Sequence, residues 1–302
     1  LKKVFGQLQV LQPAFSLESQ SASNEVFLCM KATGIVFPQT SKVDTHATST
    51  VAGVPATRVL GVPISTINMG VAVRTILDWV EHRNAQYVCV RDVHGIMRAQ
   101  EDPPLMAIHH GAGLITPDGM PLAWTLKARG YRDAGRVCGA DLVAALSRAS
   151  VSVGTRHYLY GGKPGVAERM ATTLTEKFPG LQVIGSSTPP FRALTPEEDE
   201  AVVAEISSMQ PDVVWVGLST PKQEYWMRDH VGRIPGATLI GIGAAFDFYA
   251  GDVKRAPRWM HSSGLEWLHR LISEPRRLWR RYLVLAPKFV ILTLGSALHW
   301  KR

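Results

Sequence analysis

The sequence predicts an α/β protein with a mainly parallel, Rossmann-like sheet flanked by helices. Two observations carry this. Short apolar runs (Tyr87–Val90, Gly113–Thr116, His157–Tyr160, Gln182–Ile184, Val213–Gly217, Thr238–Ile242) recur along the chain, and segments of ten or more residues with helical character separate them. The composition agrees. Of 302 residues 46% are hydrophobic and 19% charged, which excludes a mainly disordered chain and supplies enough apolar side chains for a full core.

The elements follow in order. Residues 1–56 are rich in Ser, Thr, Gln and Ala without sustained periodicity, and read as a poorly ordered leader with no secretory signal pattern. The folded domain is expected to span 57–253. It opens with Val59, Leu60, Val62 and Ile64, and the stretch Ile67–His82 then spaces Val71, Ile76, Leu77 and Val80 at helical period. Further helices are expected near 95–109, 119–129, 140–150, 164–178, 196–209 and 221–231. Pro164 is read as a first-turn residue, and Thr195-Pro196-Glu197-Glu198 as a capped start with acidic residues at the positive helix end.

Charge separates body from tail. From Lys254 to Arg302 there are 11 Lys+Arg and 2 acidic residues, a balance of +9; residues 1–253 hold 22 and 23, a balance of −1. The segment 254–302 therefore reads as a basic amphipathic appendage. Its Arg270, Arg276, Arg277, Arg280 and Arg281 alternate with Trp259, Trp267, Leu271, Leu278, Trp279 and Tyr282, a pattern that fits an anionic membrane surface, a phosphate-bearing ligand or single-stranded nucleic acid. Pro287 and Lys288 interrupt the last apolar run, leaving it short of the roughly 20 residues of a spanning helix, so it is expected to lie in the interface.

Cys29, Cys89 and Cys138 are far apart and make neither a disulfide framework nor a thiolate metal site. No Asp-x-Asp occurs, so a bound diphosphate is expected to be met by Arg, Lys and helix N-termini, with no metal. The loops expected after the strands are polar and marked by Gly. Gly161–Gly165 lets backbone N–H groups approach a phosphate, though it is neither a dinucleotide fingerprint nor a P-loop. Asp118 is either a helix N-cap or a general base at the sheet edge, and His94 is a rival base. His109 and His110 are adjacent and point apart on a helix, a poor metal pair.

The segments Gly217–Met227 (GLSTPKQEYWM), Gly241–Gly251 (GIGAAFDFYAG), Lys254–Met260 and Gly264–Leu271 (GLEWLHRL), with Pro117-Asp118-Gly119 and Arg136–Asp141, resemble the bacterial WecG/TagA/CpsF glycosyltransferases over residues 59–285. The resemblance implies an inverting, metal-independent and cofactor-free transfer of a sugar, of the N-acetylmannosamine, N-acetylmannosaminuronic or glucuronic acid type. The donor would be a UDP-sugar and the acceptor a polyprenyl-diphosphate-linked saccharide, at the cytoplasmic face of the plasma membrane. It implies a base at Asp118, a nucleotide-sugar pocket lined by Arg136, Gln223 and Asp247, and a diphosphate clamp of Arg270, Arg277 and Arg280. Gly162 is added to the pocket from its loop. Nucleic acid is not an implied partner, and a homo-oligomer stays open. Many members carry Asn where this chain has Asp92. A second carboxylate beside Asp118 would raise its proton affinity by like-charge repulsion, so Asp92 is an expected catalytic residue or marks a different sugar or acceptor. The alternatives are a nucleic-acid-binding module built on the tail and another sugar-nucleotide enzyme, such as an epimerase.

Overall fold

The computed structural model describes residues 48–257, 259–260 and 263–300; the leader expected over 1–56 lies outside them up to residue 47. A three-stranded antiparallel sheet comes first: β1 (Thr48–Ser49), β2 (Pro55–Val59) and β3 (Val62–Ser65). Leu60 and Gly61 join β2 to β3 with φ of +47° and +83°. Val59 pairs with Val62 across this turn, the two-residue hairpin geometry that matches strand twist. Ser65 Oγ accepts from Ile115 N–H at 3.0 Å, tying this ribbon to the main sheet.

The main sheet holds β4 (Tyr87–Arg91), β5 (Leu114–Pro117), β6 (Arg156–Gly161), β7 (Gln182–Ser187), β8 (Val213–Gly217) and β9 (Thr238–Gly241). Its order is β5-β4-β9-β8-β6-β7, with every pairing parallel. Apart from the edge strand β7, the strands are buried on both faces because helices cover both. Val88, Leu114, Leu159, Val213, Trp215 and Ile240 face one core together with α1 (Met69–Glu81), α5 (Gly139–Val153) and α6 (Val166–Lys177). Cys89, Ile115, Tyr158, Tyr160, Val214, Val216 and Leu239 face the other, with α2 (Val93–Glu101), α3 (Pro103–His110), α4 (Met120–Ala128), α7 (Pro196–Ser208) and α8 (Lys222–His230). The expected fold class is therefore observed.

Three local differences have physical causes. The helix expected over 95–109 is two helices, since Asp102 leaves helical geometry, caps Leu105 N–H at 3.0 Å and precedes Pro103. Helix α6 begins at Val166 and not at Pro164, because Gly161, Gly162 and Gly165 all take left-handed φ. Helix α7 carries the reciprocal capping box of Thr195 and Glu198.

After β9 come α9 (Ala245–Tyr249), α10 (Glu266–Ser273), α11 (Pro275–Trp279), a π-helical segment (Arg280–Leu285) and α12 (Ala286–Trp300). Glu274 breaks the path between α10 and α11, with Pro275 opening the new helix. The widened π register lies just ahead of Pro287, whose ring would clash with an i−4 carbonyl in a normal α-helix. Leu278 and Phe289 are buried, and Phe289 joins the core beside α2. No helix among the described residues is long and apolar enough to cross a membrane.

Candidate active site

Parallel sheets present ligand sites at the carboxyl ends of their strands, and the candidate residues gather there. Asp118 follows β5. It is not the N-cap of α4: that position is Gly119, at φ +91°, with no side-chain cap bond. The Asp118 backbone N–H instead donates to Arg91 O at 2.7 Å, fixing the loop to the end of β4. Its carboxylate is half-buried, and Arg136 Nε lies 3.7 Å from Oδ1. Burial raises its proton affinity, Arg136 opposes this, and the carboxylates of Asp92 and Glu266 add to it, bringing the pKa up to about 6.

Asp92 directly follows β4. Its Oδ1 accepts from Gly95 N–H at 2.9 Å as the N-cap of α2, and its Oδ2 is ion-paired to Arg281. Burial pulls this carboxyl up, but Arg281, His94, the Gly95 N–H and Arg91 outweigh burial and hold it down at about 2. Burial lowers the pKa of His94, against the opposite pull of Asp92.

A second group surrounds α9. Burial raises the pKa of Asp247, opposed by Lys163 of the Gly161–Gly165 loop and by Arg277, both close enough to act on it. A Cβ on Gly162 would come within 3.0 Å of Val166, so this loop lies close against the start of α6. Arg270 stands over the Phe248 ring at 5.7 Å, and Arg277 pairs with Glu274 at 2.7 Å. Arg280 is exposed at the start of the π-helical segment. Gln223 is buried under the end of β9, and its Nε2 donates to Glu224 Oε1 at 2.9 Å. Beneath it, Arg91 and Glu224 form a fully buried ion pair, with Thr220 Oγ1 3.3 Å from each partner.

The structure thus brings Asp118, Asp92 and Arg136 together, and sets Asp247, Gly162, Arg270 and Arg277 in a neighbouring group. Sequence reasoning passed over Glu266, which is ion-paired to Arg136 beside Asp118. The available signal was its status as one of two acids in a basic tail. It also did not foresee the pairing of Arg281 with Asp92 or the action of Lys163 on Asp247. Cys89 and Cys138 are buried thiols, and Cys29 lies outside the described residues. Among the described residues no group of three or more His, Cys, Asp and Glu side chains is placed to hold a metal ion.

The carboxyl edge of this all-parallel α/β sheet carries a carboxylate of raised pKa, arginines and a Gly-rich loop, and it is at such edges that open α/β sheets bind ligands. The family model described as "Glycosyl transferase WecG/TagA/CpsF family" matches residues 57–302. The chain belongs to this family and is a glycosyltransferase of cell-surface polysaccharide synthesis. The match runs through the last helix, beyond the limit of 285 expected from the sequence motifs.

Proposed function

We propose that this enzyme moves a sugar of the N-acetylmannosamine, N-acetylmannosaminuronic or glucuronic acid type from a UDP-sugar to a polyprenyl-diphosphate-linked saccharide. The transfer inverts the anomeric carbon, uses no metal, and takes place on the cytoplasmic face of the plasma membrane with the protein peripherally bound. The observation that carries the reading is Asp118: a half-exposed carboxylate at the sheet edge whose proton affinity is raised toward neutrality, the optimum for a general base. In a single displacement the acceptor hydroxyl oxygen attacks the anomeric carbon and Asp118 takes its proton. The bond from that carbon to the UDP oxygen breaks, and UDP leaves with the electron pair.

Asp92, held ionised by Arg281 and capping α2, is the weaker base. We assign proton removal to Asp118 and a flanking role to Asp92. Arg136, Gln223, Asp247 and Gly162 are read as the nucleotide-sugar pocket. Arg270, Arg277 and Arg280 are read as the clamp on the leaving diphosphate, where preorganised cations meet developing negative charge.

The test is UDP release from a panel of UDP-sugars, with and without a polyprenyl-diphosphate saccharide, in excess EDTA. Release that needs the lipid-linked acceptor and survives EDTA supports the reading. Activity that EDTA removes and Mg²⁺ or Mn²⁺ restores overturns the metal-free mechanism. Conversion of the UDP-sugar without acceptor points to a different sugar-nucleotide enzyme.

A further inference from the structure

Two ion pairs join the C-terminal helices to the body, and all four of their charged groups act on Asp118. Arg136 of the body binds Glu266 in the first turn of α10; Asp92 of the body binds Arg281 in the π-helical segment. Their polarities are opposite, since the body gives the cation in one pair and the anion in the other. All four side chains are half-buried, at 16 and 17% exposure in the first pair and 25 and 26% in the second, so solvent screens them less than free surface pairs. Leu278 is buried between the two tail residues in sequence, adding an apolar hold.

The geometry points to Glu266 and Arg281 as positioning residues: these two ion pairs of opposite polarity seat the C-terminal helices over Asp118 in one register and set the charge balance at its carboxylate. This deepens the reading of Asp118 as the proton acceptor and rests on it for its catalytic meaning. Opposite polarity gives the register its specificity. A segment docked the wrong way round would set Glu266 against Asp92 and Arg281 against Arg136, and like charges at close quarters reject that arrangement. Asp92 thereby gains a partner within this same chain.

The charged and titratable groups acting with Asp118 come from every neighbouring element. They are Arg136 and Cys138 before α5, Asp92 at the start of α2, Glu266 on α10, and Arg281 and Tyr282 on the π-helical segment. Removing Glu266 takes a like charge from Asp118, whereas removing Arg281 takes an opposite one. The two losses therefore push in opposite directions.

The experiment follows the Asp118 carboxyl carbon by ¹³C NMR over a pH titration of the full chain, with the resonance assigned through Asp118→Asn. The midpoint is expected to fall in Glu266→Gln and rise in Arg281→Gln, each by at least about half a pH unit. Arg281→Lys should restore it toward the parent value, and Asp92→Asn combined with Arg281→Gln should cancel most of the rise. Unchanged midpoints, or shifts in the same direction, overturn the proposal. If Arg281→Gln does not fold, Glu266→Gln and Arg281→Lys decide: a fall in the first with a parent-like second supports it, and no fall sinks it. The titration needs no substrate. Opposed shifts with full turnover in Asp118→Asn would retain the docking and overturn only the assignment of the base.

Discussion

Arg136 Nε lies 3.7 Å from Asp118 Oδ1, near enough to attract the carboxylate and too far for a good hydrogen bond to it. The guanidinium is turned toward Glu266. Burial therefore prevails at Asp118, and its pKa is raised to about 6 instead of being drawn down as in a tight ion pair.

The kinetic consequence has a definite sign. A general base works when ionised, so kcat/KM should fall about tenfold per pH unit below about 6 and level off above it. Asp118→Asn should lower kcat roughly 10²–10⁴-fold with little change in UDP affinity. Steady-state rates with a lipid-linked acceptor, and calorimetric UDP binding, check both. Near-normal turnover would move the base to Asp92 or His94.

The same shift predicts a cost in stability. A folded-state pKa near 6 against 3.8 for the free side chain means that the folded protein binds the extra proton between these values. Stability from this group is complete below about pH 4 and is lost as pH rises through 6. Asp118→Asn should thus stabilise the fold by about 1–3 kcal/mol at pH 7 and by almost nothing below pH 4. Denaturant unfolding at the two pH values measures the difference.

The buried pair beneath the site should respond as a unit. Glu224→Ala leaves the fully buried Arg91 guanidinium without its counter-charge, a loss of about 3–5 kcal/mol. Tm should fall by roughly 6–20 °C. Replacing both residues by apolar ones of similar volume should recover most of it. An unchanged Tm for Glu224→Ala would show that the pair does not hold this end of β4.

How much of this was legible in the sequence depends on range. The central strands were readable because burial on both faces makes them short apolar runs, and the Thr195–Glu198 cap because its chemistry is local. Asp118 and Asp92 stood out as acids in strand-exit loops. The Leu60-Gly61 hairpin was missed because a non-glycine residue in left-handed geometry carries a weak turn signal. The break at Asp102 was legible but overlooked: Asp102-Pro103-Pro104 is a local cap-and-proline signal for a new helix. Arg136–Glu266 and Asp92–Arg281 span 130 and 189 positions, and no local pattern encodes a pairing at that distance. The net charge of the tail concealed the one acid that turns inward to Arg136.

Helix α12 has two unlike sides. Tyr282, Leu285, Ala286, Phe289 and Thr293 form its inward side and the end of the preceding segment. The other side leaves Leu283 58%, Val290 50%, Ile291 69% and Leu294 61% exposed, with Trp279 at 47% nearby and Arg276, Arg280 and Lys288 around them. An apolar strip edged by cations is the composition of a helix lying in an anionic lipid interface, and α12 is too short to span. Burying an aliphatic side chain is worth about 1.5–3 kcal/mol, and a basic residue near the surface about 1 kcal/mol. Ile291→Asp with Leu294→Asp should therefore weaken binding to vesicles of phosphatidylglycerol and phosphatidylethanolamine by at least about 30-fold. Because both side chains are exposed, Tm and UDP binding should stay near the parent values. Arg276→Gln with Arg280→Gln should weaken binding less, and its effect should fade at high salt, where surface charges are screened. Vesicle sedimentation at two ionic strengths separates the contributions. Unaltered binding in the aspartate variant would assign attachment to charge alone and remove the apolar face of α12 from the lipid contact.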